Sequence, residues 1–150
     1  MMRLQILSIQ TFIAALLATS LMTIFSYVVS AIRKKKFREP ELLNDLIRRL
    51  NQKDPGFLVP IAGWVIHYLV GLLFIIAYHL YWRATDADPT INNCVVLGAL
   101  SGLIGILGWQ LAFRIHPNPP HIDFKEFYIQ LFFAHVIFGA GAFLGYFWST

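Results

Sequence analysis

Charged side chains fall at few places along the chain. Between them lie four stretches without Asp, Glu, Lys or Arg, over residues 4–32, 55–82, 89–113 and 127–150. Crossing about 30 Å of hydrocarbon at 1.5 Å per residue takes roughly 20 residues, so each stretch is long enough for a transmembrane helix. The pattern predicts an all-α membrane protein with spans of about 5–32, 57–82, 91–113 and 126–148, in a single integral membrane domain over 1–150. Polar residues return over 33–56, and there the apolar ones change rhythm. Leu42, Leu43, Leu46, Ile47 and Leu50 recur at helical spacing opposite Asp45, Arg48 and Arg49, after a proline at position 40. That is the pattern of a short amphipathic helix lying on the inner membrane surface.

A second pattern lies inside the apolar runs. His67, Gly71 and Tyr78 are matched 68 residues later by His135, Gly139 and Tyr146, with an aromatic three before each histidine (Trp64, Phe132) and a small residue before each tyrosine (Ala77, Gly145). The match predicts a duplicated two-helix unit, repeated in parallel about an axis along the membrane normal. Positions i, i+4 and i+11 fall on one helix face, so each copy presents a histidine, a gap and a tyrosine hydroxyl in one stripe. Rows of small residues (Ala14/Ala18; Gly98/Gly102 with Gly105 and Gly108; Gly141/Gly145) let helix backbones approach closely where lipid offers no hydrophobic drive. They predict a four-helix bundle and offer glycine faces to a homodimer or a membrane-complex partner.

Composition supports the membrane class. The chain is 57% hydrophobic and 13% charged, against about 25% charged in ordinary soluble domains. The first apolar run exceeds the roughly 7–15-residue core of a cleaved signal, so it is expected to be retained. Cys94 is the single cysteine, which excludes an intramolecular disulfide and a paired-cysteine metal or redox site. Eight basic residues sit over 33–56, Arg114 and Lys125 lie at the edges of the third connection, and Arg3 and Arg83 remain on the other side. By the positive-inside rule, 33–56 and 114–125 are cytoplasmic and both termini are on the outer side. The net charge of +4 is then a topology signature, and no nucleic-acid partner is implied.

The stripe carries the chief chemical lead. His67 and His135 each lie about ten residues into their spans, on the order of 15 Å deep and close to the midplane. They point to a shared site between the second and fourth spans, with Gly71 and Gly139 lining the gap and Tyr78 and Tyr146 closing it toward the outer side. Such a site would take an apolar ligand or, as the alternative, a b-type haem held by two imidazoles. The plainer reading is that each histidine donates to a neighbouring hydroxyl or carbonyl, a contact worth about 0.6–2 kcal/mol in membranes. His116, His121 and Asp123, around a proline-rich turn, are weak metal candidates beside a purely structural reading of that turn. His79 with Tyr81 and Trp82 reads as an interfacial aromatic belt. Every acid falls in a loop or at a helix edge, which disfavours a cation-coupled carrier, and no catalytic set is present. The expectation is a non-enzymatic interaction or apolar-ligand-binding protein with no assigned cofactor.

Three segments also carry a resemblance: Ala18, Thr19, Ser20, Met22 and Thr23 in the first span, the run Glu39-Pro40-Glu41-Leu42-Leu43, and the two His-x-x-x-Gly spans. Together they resemble a family of bacterial four-helix integral membrane proteins of unknown function. The resemblance implies a four-helix fold in a bacterial inner membrane and carries over no catalytic residue.

Overall fold

In the computed structural model, residues 9–50 and 59–148 are described. They form five helices: α1 Ile9–Arg33, α2 Glu39–Leu50, α3 Val59–Thr85, α4 Ile91–Ile115 and α5 Phe124–Trp148. α1, α3, α4 and α5 are long and apolar enough to cross a membrane. Each covers the expected span to within a few residues, and the starts expected for the first and second spans, at 5 and 57, lie outside the described residues. The distribution of side chains is that of a bundle solvated by lipid. Leu16, Ile24, Leu69, Leu73, Leu103, Leu107, Leu111 and Phe133 point outward. α1 buries Thr11, Thr19, Thr23, Ser26 and Ser30 together with alanines. In water this arrangement would leave a large exposed apolar surface; in hydrocarbon the outward leucines are already in an apolar solvent.

Small residues decide which helices meet. α1 packs on α5 and on α3, α4 packs on α5, and α2 docks on α3. On the α1/α5 seam an added Cβ at Gly141 would lie 2.8 Å from Ala18 Cα, and one at Gly145 would lie 2.9 Å from Ala14 Cβ. On the α4/α5 seam Gly98 and Gly139 face each other, and a Cβ on either would meet the other's Cα at about 3.0 Å. The glycine rows are therefore largely used inside one chain. Gly108 differs, with nothing within 4 Å of its added Cβ.

α2 corrects one expectation. Leu42 and Leu46 are buried, but Leu50 is exposed, and Glu39, Pro40 and Asn44 turn inward in its place. Asn44 is the reason. Its Oδ1 accepts from the Gly63 amide (2.8 Å) and its Nδ2 donates to the Pro60 carbonyl (2.9 Å), which locks α2 against the first turns of α3. Gly63 leaves room for this contact, since any side chain there would collide with the Pro40 carbonyl. α2 is thus a plug bound to the bundle. At the same end Arg33 forms a two-pronged contact with Glu126, and Lys35 reaches Asp123 (2.7 Å) and Glu126 (2.9 Å), joining the α1 exit to the α5 start. The chain makes that exit through Lys34 in the left-handed region, φ 53°.

Candidate functional site

Because α3 and α4 do not pack closely on each other, a groove of about 290 Å³ remains between them. Ile66, Val70 and Phe74 of α3 form one wall. Ile104, Gly105, Gly108 and Trp109 of α4 form the other. The floor comes from Thr19 and Met22 of α1, His67 and Gly71 of α3, and His135 and Phe138 of α5. Glu39 and Leu43 of α2 stand at one end. Ile66, Val70 and Ile104 are partly exposed at the lips, so the groove opens sideways along the helices.

Each floor histidine has its orientation set by a named partner. Thr23 has a single hydroxyl proton and gives it to the Thr19 carbonyl at 2.6 Å. His67 Nε2, 2.9 Å from the same oxygen, must therefore be the donor. His135 Nδ1 lies 2.8 Å from the Leu131 carbonyl, which can only accept, so that nitrogen carries the proton and Nε2 keeps a lone pair. The His135 ring stands edge-on to Phe74 (centroids 5.7 Å apart). Its place exists because residue 105 is glycine: a Cβ there would lie 2.9 Å from His135 Cε1. Gly71 likewise gives way to the Thr19 hydroxyl. Ligation of a b-type haem through two Nε2 atoms would need a lone pair that His67 lacks in this arrangement.

Of the six residues placed in a shared site by their spacing, the structure brings His67, His135 and Gly71 to one cavity. Gly139 does not line that cavity: it packs against Cys94 and Gly98 of α4. Tyr78 ties α3 to α4 through Ser101 (2.9 Å). Tyr146 stands edge-on to His79, with centroids 5.3 Å apart. The site also differs from a simple interface of the second and fourth spans. α3 and α5 meet there through Phe74, Tyr78 and Phe138, while α4 supplies a wall and α1 part of the floor.

Glu39, grouped by the sequence with the acids of loops and helix edges, is placed inside by the fold. Its side chain is 1% exposed. Ser26 donates to Oε1 at 2.7 Å, and Gln130 Nε2 lies 3.4 Å from the same oxygen and 2.6 Å from Ser26 Oγ. Oε2 is buried with no hydrogen-bond partner among the described residues. Burial pushes the carboxyl up to about 7, against the opposing pull of Ser26, its own backbone and Gln130. The sequence held a signal for this position. Glu39 precedes Leu42, Leu43 and Leu46 by three, four and seven residues, so it shares the buried stripe of α2.

The remaining candidates have structural partners. His116 uses both ring nitrogens: Nδ1 accepts from the Asn118 amide (3.1 Å) and Nε2 donates to the Leu46 carbonyl (2.9 Å). Asp123 accepts from the Glu126 amide at the start of α5 and pairs with Lys35, whose ammonium holds the Asp123 carboxyl below its usual range. His121 is exposed. Among the described residues, no group of three or more His, Cys, Asp or Glu is placed to hold a metal ion. His79 and Trp82 are buried, with His79 Nε2 3.1 Å from Thr11 Oγ1, so Tyr81 alone of that trio stays at the surface. The inward pair serves helix packing, where a belt at the headgroup level was expected. Comparison with protein-family models, with curated proteins and with solved structures finds no match for this chain.

Proposed function

We propose that this chain is a small multi-pass protein of a bacterial inner membrane that binds a slender apolar ligand in the α3/α4 groove. One observation carries the reading: a side-opening groove with apolar walls and a few buried polar groups on its floor, the usual make-up of a small-molecule site. Its volume of about 290 Å³ lies at the lower edge of the roughly 300–1,000 Å³ typical of such sites, which suits an alkyl chain better than a fused ring system. The exposed lips admit the ligand from the surrounding hydrocarbon. Distribution of Lys and Arg supports cytoplasmic 33–56 and 114–125 connections and outer termini. The bacterial setting rests on the resemblance of the first span, the Glu39-Pro40 run and the His-x-x-x-Gly spans. A parallel duplication fits the packing, since Gly71 meets α1 and Gly139 meets α4, in each case the preceding span.

Gly108→Leu tests the ligand. Because its Cβ meets open space, leucine there fills the groove and leaves the helix contacts in place. Mass spectrometry of protein purified in mild detergent should show one retained chain-bearing molecule on the unmodified protein and none on Gly108→Leu. Equal retention by both would refute binding in the groove.

A further inference from the structure

The geometry points to the Glu39 end of the groove as a head-group site, selective for a long-chain amphiphile whose polar end is a primary amine. This rests on the apolar-ligand reading above and adds the chemistry of the ligand's other end. A buried carboxyl is tolerated when it is neutral or when its charge is met by a cation and by donors. Glu39 Oε1 is met by Ser26 and Gln130, whereas Oε2 is buried without a hydrogen-bond partner among the described residues. No described ion pair involves Glu39, although basic residues are close in sequence. Arg33 and Lys35 reach Glu126 and Asp123. Arg38, the residue before Glu39, pairs with Glu41 and sits over the Tyr27 ring, 4.7 Å from its centroid. Arg33, Lys35 and Arg38 are thus each paired with a carboxylate other than Glu39.

The remaining lining sharpens the choice of head. Among the described residues no Lys or Arg lines the groove to hold a phosphate or carboxylate head, and Glu39 would repel one. An ammonium would satisfy Oε2 with a charge-assisted hydrogen bond. The apolar walls continue from Leu43, beside Glu39, to Ile66, Val70 and Trp109, so an alkyl chain attached directly to the amine would lie along them. Thr19 and the two imidazoles line the floor farther along.

Trp109 provides the readout. Dibrominated octadecylamine, octadecanol and octadecanoic acid would be titrated into the detergent-solubilised protein, and the part of the fluorescence quenching that Trp109→Phe removes would be followed. The unmodified chain should bind the amine at least about tenfold more tightly than the acid, with the alcohol between them. Glu39→Gln should abolish that preference, and Gly108→Leu should weaken all three probes. Saturable, Gly108-sensitive binding that is equal for amine and acid, or a preference that survives Glu39→Gln, overturns the head-group site and leaves the groove reading standing. No saturable Trp109-dependent quenching by any probe removes both. The selectivity is measured on the unmodified chain, so the inference stays open to refutation even if Glu39→Gln fails to fold.

Discussion

The seam between α1 and α5 and the gap between α3 and α4 are built from the same kinds of residue and end in opposite states. Along the seam, Gly141 and Gly145 receive Ala18 and Ala14 at backbone distance, and the two helices close on each other. Across the gap, Gly108 receives nothing and Gly105 receives only the edge of an imidazole from a third helix. A small residue in a membrane helix closes an interface when the partner also presents a small residue at that level. Opposite bulky Ile66, Val70 and Phe74 it leaves a groove. Polar groups occur in both regions: Ser26 of α1 and Gln130 of α5 meet across the seam at 2.6 Å, while the gap is floored by His67, Thr19 and His135 and ended by Glu39.

Substitution of the seam glycines should give the largest effect. Gly145→Leu and Gly139→Leu force a side chain into backbone contacts, and each should cost more than the roughly 1–3 kcal/mol of ordinary overpacking. Loss of the cooperative melt in detergent, or a large fall in Tm, is the expected reading. Gly108→Leu is the matched control and should leave Tm unchanged or slightly raised. If all three behaved alike, the distinction between seam and gap would fail.

Next in size is the pH response of Glu39. Its folded-state value of about 7 lies above the ordinary 4.5, so between these limits the folded chain holds the extra proton. Stability from this group is full below about 4.5 and declines as pH rises toward 7. The groups facing it, Ser26 from α1 and Gln130 from α5, do not titrate. Thermal melts across pH 4.5–8 should therefore show the Tm of the unmodified chain falling relative to that of Glu39→Gln as pH rises. Identical slopes would contradict a buried carboxyl.

The histidine pair gives a smaller effect that asks whether the floor acts as one unit. His67→Ala and His135→Ala each remove a polar contact worth about 0.6–2 kcal/mol. Their hydrogen bonds go to different partners, so the stability losses should add, whereas losses of ligand retention should not if both rings line one bound chain. The smallest effect is expected for Tyr78→Phe, which removes the Ser101 contact between α3 and α4, at about 0.6 kcal/mol.

The four spans were legible because a charge inside hydrocarbon is costly, so charge-free runs of this length mark the crossings. Which faces meet was harder to read. In lipid the outward face is the more apolar one, and α1 turns its Thr and Ser residues inward, so the usual rule of apolar inside gives the wrong side. The spacing of His67 and His135 indicated that their rings could share a level, but nothing in it pointed to α4 as the second wall. Glu39 counts in the sequence only as an acid in a loop or at a helix edge, although its place three and four residues before Leu42 and Leu43 puts it on the buried stripe. His79 and Trp82 were misplaced for a related reason: an aromatic cluster near a span end looks the same whether it faces water or a neighbouring helix.

If the α3/α4 gap holds an apolar chain, a photoreactive chain should find it there. An alkyl probe carrying a diazirine, activated in bilayers containing the protein, should label Val70, Phe74 and Trp109 in the groove above Leu103 and Leu107 on the outward face of α4. Gly108→Leu should erase that excess while leaving the outward labelling unchanged. Labelling spread evenly over the lipid-facing leucines, with no excess in the groove and no effect of Gly108→Leu, would contradict the account.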